Sequence, residues 1–182
     1  MKEQFLKDFK ESGIANVPNC LLEELSEHFW VFDPVKASSN PCHIILNPTD
    51  DEKKGSIEIK NEDNKTIHFF PIDQCLIKGD TKRCDFVIFD NEKKITFCEL
   101  KLGADTTKTH HNFNNTWHNA EVQLFSTLIF FRQRTDLTGC EIKFVIGMPQ
   151  SMIKSPTFRQ NYETKFLEIH KMRLKITDFV KV

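Results

Sequence analysis

RCDFVIFDNEKKITFCELKLG, residues 83–103, is the stretch on which the fold turns. Two runs rich in Val, Ile and Phe flank the polar sequence DNEKK, the pattern of a β-hairpin. Both runs are apolar at odd and even positions alike, which predicts strands covered on both faces. Asp85, Glu99 and Lys101 interrupt them. A buried charge without a partner costs several kcal/mol or neutralises itself. These residues therefore imply either a structural ion network or a metal site.

Register separates the two. Side chains alternate along a strand, so Glu99 and Lys101 share a face with Ile95 and Phe97. A three-residue loop, Asn91-Glu92-Lys93, pairs Asp90 with Lys94 and sets Phe89 opposite Ile95, Val87 opposite Phe97 and Asp85 opposite Glu99. A two- or four-residue loop would send Asp85 to the other face. The odd register is expected here. It brings two carboxylates and an ammonium to one end of the hairpin, an oxygen-rich set suited to Mg²⁺ or Mn²⁺ with water and a phosphate oxygen. Such an ion polarises a phosphoryl group and activates water, with Lys101 orienting that water or offsetting developing charge.

The pattern resembles the PD-(D/E)xK nuclease superfamily: an Asp at the start of one strand, Glu-x-Lys on the next, then a helix that often carries a Gln. The matching residues are Asp85, Glu99-Leu100-Lys101 and Gln123, and the element pattern extends over roughly residues 40–177. Cys84 stands where the superfamily has Pro, and Thr127 where a Tyr often follows the Gln. The resemblance implies a three-layer α/β fold of restriction-endonuclease type, with a central mixed β-sheet flanked by helices. It implies Mg²⁺ or Mn²⁺ held by Asp85, Glu99 and the Leu100 carbonyl, with Lys101 positioning water and Gln123 supporting it. Gln123 is either that site residue or a glutamine on the helix surface. The superfamily also often supplies an acid from an N-terminal helix, for which Glu24 ranks first among Glu23, Glu24 and Glu27, although a solvated face is the plainer reading of all three. The implied activity is phosphodiester hydrolysis by an endonuclease, in DNA before RNA, in restriction, repair or defence. The rival readings are a catalytically inactive accessory subunit of the same fold, and a small protein-binding, immunity-type protein in which Lys101 only pairs with a carboxylate.

Composition bounds these readings. The 182 residues fit one domain, with helices in 1–30 and a core over about 40–177. Seventeen Phe against one Tyr predict a Phe-rich core. A formal charge of -1 argues against a free-standing, high-affinity, non-specific DNA binder, and a lone domain of this size without a recognition module is expected to work as a homodimer or with a partner subunit. Six cysteines show no CxxC pair or zinc spacing, so all are expected reduced, in a cytoplasmic protein. The start, MKEQFLKDFK, is too charged for a signal peptide, and the apolar run Leu124–Phe131 is too short for a membrane span.

Along the chain, an amphipathic helix is expected over 2–12, and a second from about Pro18 to Trp30 on the stripe Leu21, Leu22, Leu25, Phe29. Residues 31–40 read as loop and 42–46 as a strand. Ser56–Lys60 and Thr66–Phe70, separated by NEDNK, read as another hairpin. Asp80 reads as a turn residue, and Asp73 lies near the site in sequence without a spacing that assigns it. The polar stretch after Lys101 holds His110, His111 and His118, read as loop histidines or phosphate contacts. A helix over 116–133, a parallel strand over 141–148, a helix from Ser155-Pro156 and a last strand over 172–176 complete the chain. Lys78, Lys82 and Arg83 lie close to the hairpin as candidate phosphate contacts.

Overall fold

The computed structural model describes residues 1–14, 17–24, 27–34, 40–77, 81–102, 110–148 and 156–182. The side chains of residues 18, 22–24 and 110–114 lie outside that description. The fold is mixed α/β, with two mixed β-sheets. In chain order the elements are α1 (Lys2–Glu11), α2 (Val17–Cys20), β1 (Leu22–Glu24), β2 (His28–Phe32), β3 (His43–Ile45), α3 (Asp50–Lys54), β4 (Ser56–Lys60) and β5 (Ile67–Pro71). They continue with β6 (Phe86–Phe89), β7 (Lys94–Leu100), α4 (His110–Arg132), β8 (Glu141–Gly147), α5 (Pro156–His170), β9 (Arg173–Thr177) and β10 (Phe179–Lys181).

The hairpin β6–β7 lies at the centre of the six-stranded sheet β1-β5-β6-β7-β8-β9. Its register is the odd one: Phe89 faces Ile95 and Val87 faces Phe97. Asp90 enforces the three-residue loop by accepting the Glu92 and Lys94 amides on Oδ1 at 2.8 and 3.0 Å. Lys93 takes the left-handed conformation, φ 63°, that closes a loop of this length. Past the hairpin, β7, β8 and β9 run parallel, linked through α4 and α5.

Successive strand residues enter two different cores, which explains the double-sided apolar pattern. Val87, Phe89, Ile95 and Phe97 pack with Phe5 and Phe9 of α1, with Leu124, Leu128 and Phe131 of α4, and with Phe166 of α5. Phe131 makes edge contacts with Phe5, Phe9, Phe70 and Phe97, so the expected Phe-rich core is present. Phe86, Ile88, Cys98 and Leu100 point the other way, onto Phe29, Val31, Ile57 and Ile59. That second face is covered by the four-stranded sheet β10-β4-β2-β3, not by helices as expected. The layers are thus helices, central sheet and second sheet.

Three further expectations are corrected. Residues 18–30 are not one helix: after the single turn α2, the chain forms β1 against β5 and β2 against β4. The stripe of leucines fits a helix locally, but HFWVF alternates, and burying Phe29 and Val31 opposite Ile59 and Ile57 outweighs helical propensity. Next, β4 and β5 do not form a hairpin. They lie in different sheets and face each other across the interlayer core through Ile57, Ile59, Ile67 and Phe69. Asn61, fully buried, makes that crossing by bonding Lys65 N and O at 3.0 and 2.8 Å. Finally, Cys20 and Cys75 form a disulfide, so not all six thiols are reduced. Cys42, Cys84, Cys98 and Cys140 are free. Among the described residues no helix is long and apolar enough to cross a membrane.

Candidate active site at the end of the central hairpin

Asp85 immediately precedes β6, and its backbone is tied on every side. Its N–H donates to Cys98 O at 3.1 Å, while its carbonyl accepts Ile72 N at 2.9 Å and Asp73 N at 3.3 Å. The Cys42 thiol donates to that same carbonyl at 3.3 Å, and burial pushes this thiol's pKa up, which keeps it a donor. The Asp85 carboxylate accepts the Leu100 amide on Oδ2 at 2.5 Å. In an extended strand the N–H and C=O of one residue leave on the same edge, so the Leu100 carbonyl lies on Asp85's side of β7.

Glu99, on β7, is 2% exposed. Its Oε1 accepts the Lys101 ammonium, and its Oε2 is buried with no hydrogen-bond partner among the described residues. Lys101, held by its own N–H on Gly147 O at 2.8 Å, also donates to Gln123 Oε1 at 3.0 Å. Gln123 spends its other end on the Arg83 carbonyl at 3.0 Å, so its amide orientation is set. One turn on, Thr127 Oγ1 accepts the Cys84 amide at 2.8 Å and donates to Gln123 O at 3.0 Å. This hydroxyl ties α4 to the entry of the hairpin. Gln123 is half-buried and bonded into this cluster.

Burial dominates the electrostatics. It raises Asp85 well above the usual carboxylate range, with the Glu99 and then the Asp33 charge adding to it and the Leu100 amide and Lys101 opposing. Burial likewise raises Glu99 to about 7, against the pull of Lys101 and with help from Asp33 and Asp73. Neither carboxylate is comfortable as an anion without a cation beside it. The orphaned Glu99 oxygen, next to a second buried carboxylate, is the sort of acceptor that a bound ion completes. Among the described residues no group of three or more His, Cys, Asp or Glu side chains is arranged to hold a metal. Two carboxylates and one backbone carbonyl would be hard oxygen donors, of the kind that Mg²⁺ or Mn²⁺ takes.

Two acids escaped the sequence reading or lacked a role in it. Asp33 follows β2, and extending the pairing of Phe32 with His43 sets it opposite Cys42, whose thiol touches Asp85. Its neighbourhood depends on pairing β2 with β3, which no local motif signals. Asp73 accepts Arg83 Nε at 2.7 Å and its terminal nitrogen at 2.5 Å, and a third Arg83 bond reaches Thr81 O at 2.8 Å. Arg83 is thereby buried and committed, not a free phosphate contact.

Glu24 is corrected. It lies on a strand opposite Ile67, at the turn end of the sheet, whereas Asp85 neighbours Ile72 at the other end. Five strand residues and three strand spacings leave it roughly 17 Å along and 14 Å across from Glu99. His118 is exposed, 3.9 Å from Glu121. The side chains of His110 and His111, and the residues Lys78 and Asp80, fall outside the described residues. A cleft of about 760 Å³ lined by Gln4, Asp8, Arg132 and Thr135 lies at the far end of α4 from Gln123 and contains none of the cluster.

No family model matches the chain, and no curated protein and no solved structure matches it at a significant level.

Proposed function

We propose that this protein is a Mg²⁺- or Mn²⁺-dependent nuclease of the PD-(D/E)xK type, with a restriction-endonuclease-like core. The observation that carries the reading is Glu99: buried, raised to about 7, with one oxygen on Lys101 and the other unpartnered beside Asp85. Asp85, Glu99 and the Leu100 carbonyl would hold the ion. When bound, it supplies Lewis-acid polarisation of the phosphoryl group and a more acidic water. Glu99 would have to give up its proton to serve as a ligand, so affinity would rise with pH. Lys101, then free of its pairing with Glu99, holds the attacking water and offsets charge on the phosphoryl oxygens. Gln123 keeps the ammonium aimed at that place. The substrate is DNA in preference to RNA, and the setting restriction, repair or defence, on the resemblance of the motif. A near-neutral chain suits work as a homodimer or with a partner subunit. A cytoplasmic setting is supported by the four free cysteines and opposed by the Cys20–Cys75 disulfide.

One observation favours a second reading. Lys101 is satisfied twice within the chain, by Glu99 and Gln123, as in a purely structural ion network. On that reading the protein is an inactive accessory subunit or an immunity-type binding protein. Mn²⁺ titration of the purified protein separates them. The nuclease reading expects one site in the wild type and none in Glu99→Ala; equal binding by both removes the metal site.

A further inference from the structure

The turn Ile72–Ile77 follows β5 and backs directly onto the candidate site. Its Ile72 and Asp73 amides both end on the Asp85 carbonyl, at 2.9 and 3.3 Å. The Asp73 carboxylate grips the Arg83 guanidinium, and the Arg83 carbonyl receives Gln123, whose other end holds Lys101. Within itself the turn is closed by Ile77 N on Ile72 O at 3.0 Å, with Gln74 in the left-handed region at φ 59°. The same turn carries Cys75, bridged to Cys20 at the end of α2, 55 residues earlier. Cys20 and Val17 anchor α2 in the helical core. Of the six cysteines, the paired two are the ones that fasten this turn, while Cys42, Cys84 and Cys98 remain thiols around the same strands.

We propose that the Cys20–Cys75 bridge is a thiol-responsive clasp: closed, it holds the Ile72–Ile77 turn against Asp85 and Arg83, and its reduction by a dithiol loosens that hold and weakens cation binding at the site. Cys75 is half-buried and Cys20 almost fully buried, which makes the Cys75 sulfur the point of attack. A dithiol thiolate displaces the Cys20 thiolate and forms a mixed disulfide with Cys75. The second thiol of the reductant then closes on its own sulfur and releases the Cys75 thiolate. Two electrons pass to the protein, the reductant becomes a cyclic disulfide, and the two protein thiolates take up the protons that the dithiol gives up. With the tether gone, the turn keeps its own hydrogen bonds, the two amides on the Asp85 carbonyl, the Asp73–Arg83 pair and the burial of Ile72, Leu76 and Ile77, but no covalent link to α2.

The effect on the cation rests on the metal reading above; the clasp itself does not. Hydrogen exchange followed by mass spectrometry on oxidised protein, and on protein reduced with dithiothreitol and desalted anaerobically, reads the clasp. Exchange in peptides covering 72–77 and 83–86 is expected to accelerate at least about tenfold on reduction and to revert on reoxidation, while β8 stays unchanged. The double variant Cys20→Ser/Cys75→Ser should exchange like the reduced protein with or without dithiol; if it fails to fold, the reversible reduction of wild type carries the test alone. In the same samples, the Mn²⁺ dissociation constant should rise at least about fivefold on reduction, a shift of the size that linked conformational equilibria give. Equal exchange in both redox states overturns the clasp, as do six reactive thiols in the denatured, unreduced protein. Changed exchange with equal Mn²⁺ affinity overturns the link to the site. Changed exchange with no Mn²⁺ binding in either state sustains the clasp and overturns the metal reading.

Discussion

The Lys101 ammonium donates to the Gln123 side-chain oxygen at 3.0 Å, across the gap between the end of β7 and the face of α4. Because Gln123 is itself fixed on the Arg83 carbonyl, the helix, the entry to β6 and the exit of β7 meet through one amide. This contact lets a short Glu-x-Lys motif become a constrained cluster. On the nuclease reading, Gln123 is a positioning residue, distinct from the two carboxylates.

Gln123→Leu keeps the volume and removes both bonds. Mn²⁺ affinity is expected to stay within about twofold of wild type, while the rate of cleavage falls about ten- to a hundredfold, because loosened reacting groups lose orientation. Isothermal titration beside plasmid cleavage checks the split. A Gln123→Leu protein that cleaves at the wild-type rate assigns Gln123 to packing alone.

Glu99 sets a pH dependence of stability with a definite sign. Its pKa rises from an ordinary 4.5 to about 7 on folding, so the folded state binds the extra proton. Stability from the neutral carboxyl is complete below about pH 4.5 and is lost as pH rises through about 7, on the order of 3 kcal/mol for a shift of this size. Asp85, raised in the same direction, adds to the trend. Glu99→Gln should therefore match wild type near pH 5 and be more stable near pH 8, by urea unfolding in EDTA. A variant less stable than wild type at pH 8 would show that the Lys101 pairing outweighs burial.

Phe131 is the hub of the helical core, in edge contact with rings from α1, β5 and β7. Phe131→Ala leaves a cavity among side chains that cannot close it, at a cost of about 3–5 kcal/mol. Denaturant midpoints test this, and a loss below about 1 kcal/mol would mean that the surrounding rings collapse into the space.

The hairpin and its register were legible because their determinants are local. Asp90, the three-residue loop and the alternation through Phe97 all lie within one stretch, and the register they set runs up to Phe86 opposite Cys98, next to Asp85, whose N–H closes on Cys98 O. The parallel neighbour β8 and the helix carrying Gln123 followed from length and periodicity. What could not be read was non-local. Nothing in SIEIK or IHFFP says that the two strands enter different sheets, and LLEEL fits a helix until β5 is present to pair with it. Cys20 finds Cys75 only once α2 packs beneath the turn after β5. Asp33 nears the carboxylates only through the β2–β3 pairing. The carboxylate pair was thus visible in the chain, and the acids and bridge surrounding it were products of the tertiary fold.

The central claim is metal-dependent phosphodiester cleavage at Asp85, Glu99 and Lys101. Its most direct test incubates supercoiled plasmid, single-stranded DNA and RNA with the protein in Mg²⁺ or Mn²⁺, beside EDTA and beside Lys101→Ala. The account predicts cleavage of DNA that requires the metal and falls about a hundredfold or more in Lys101→Ala, the size expected when a group that stabilises developing charge is removed. Cleavage that persists in EDTA, or that Lys101→Ala retains in full, would contradict it.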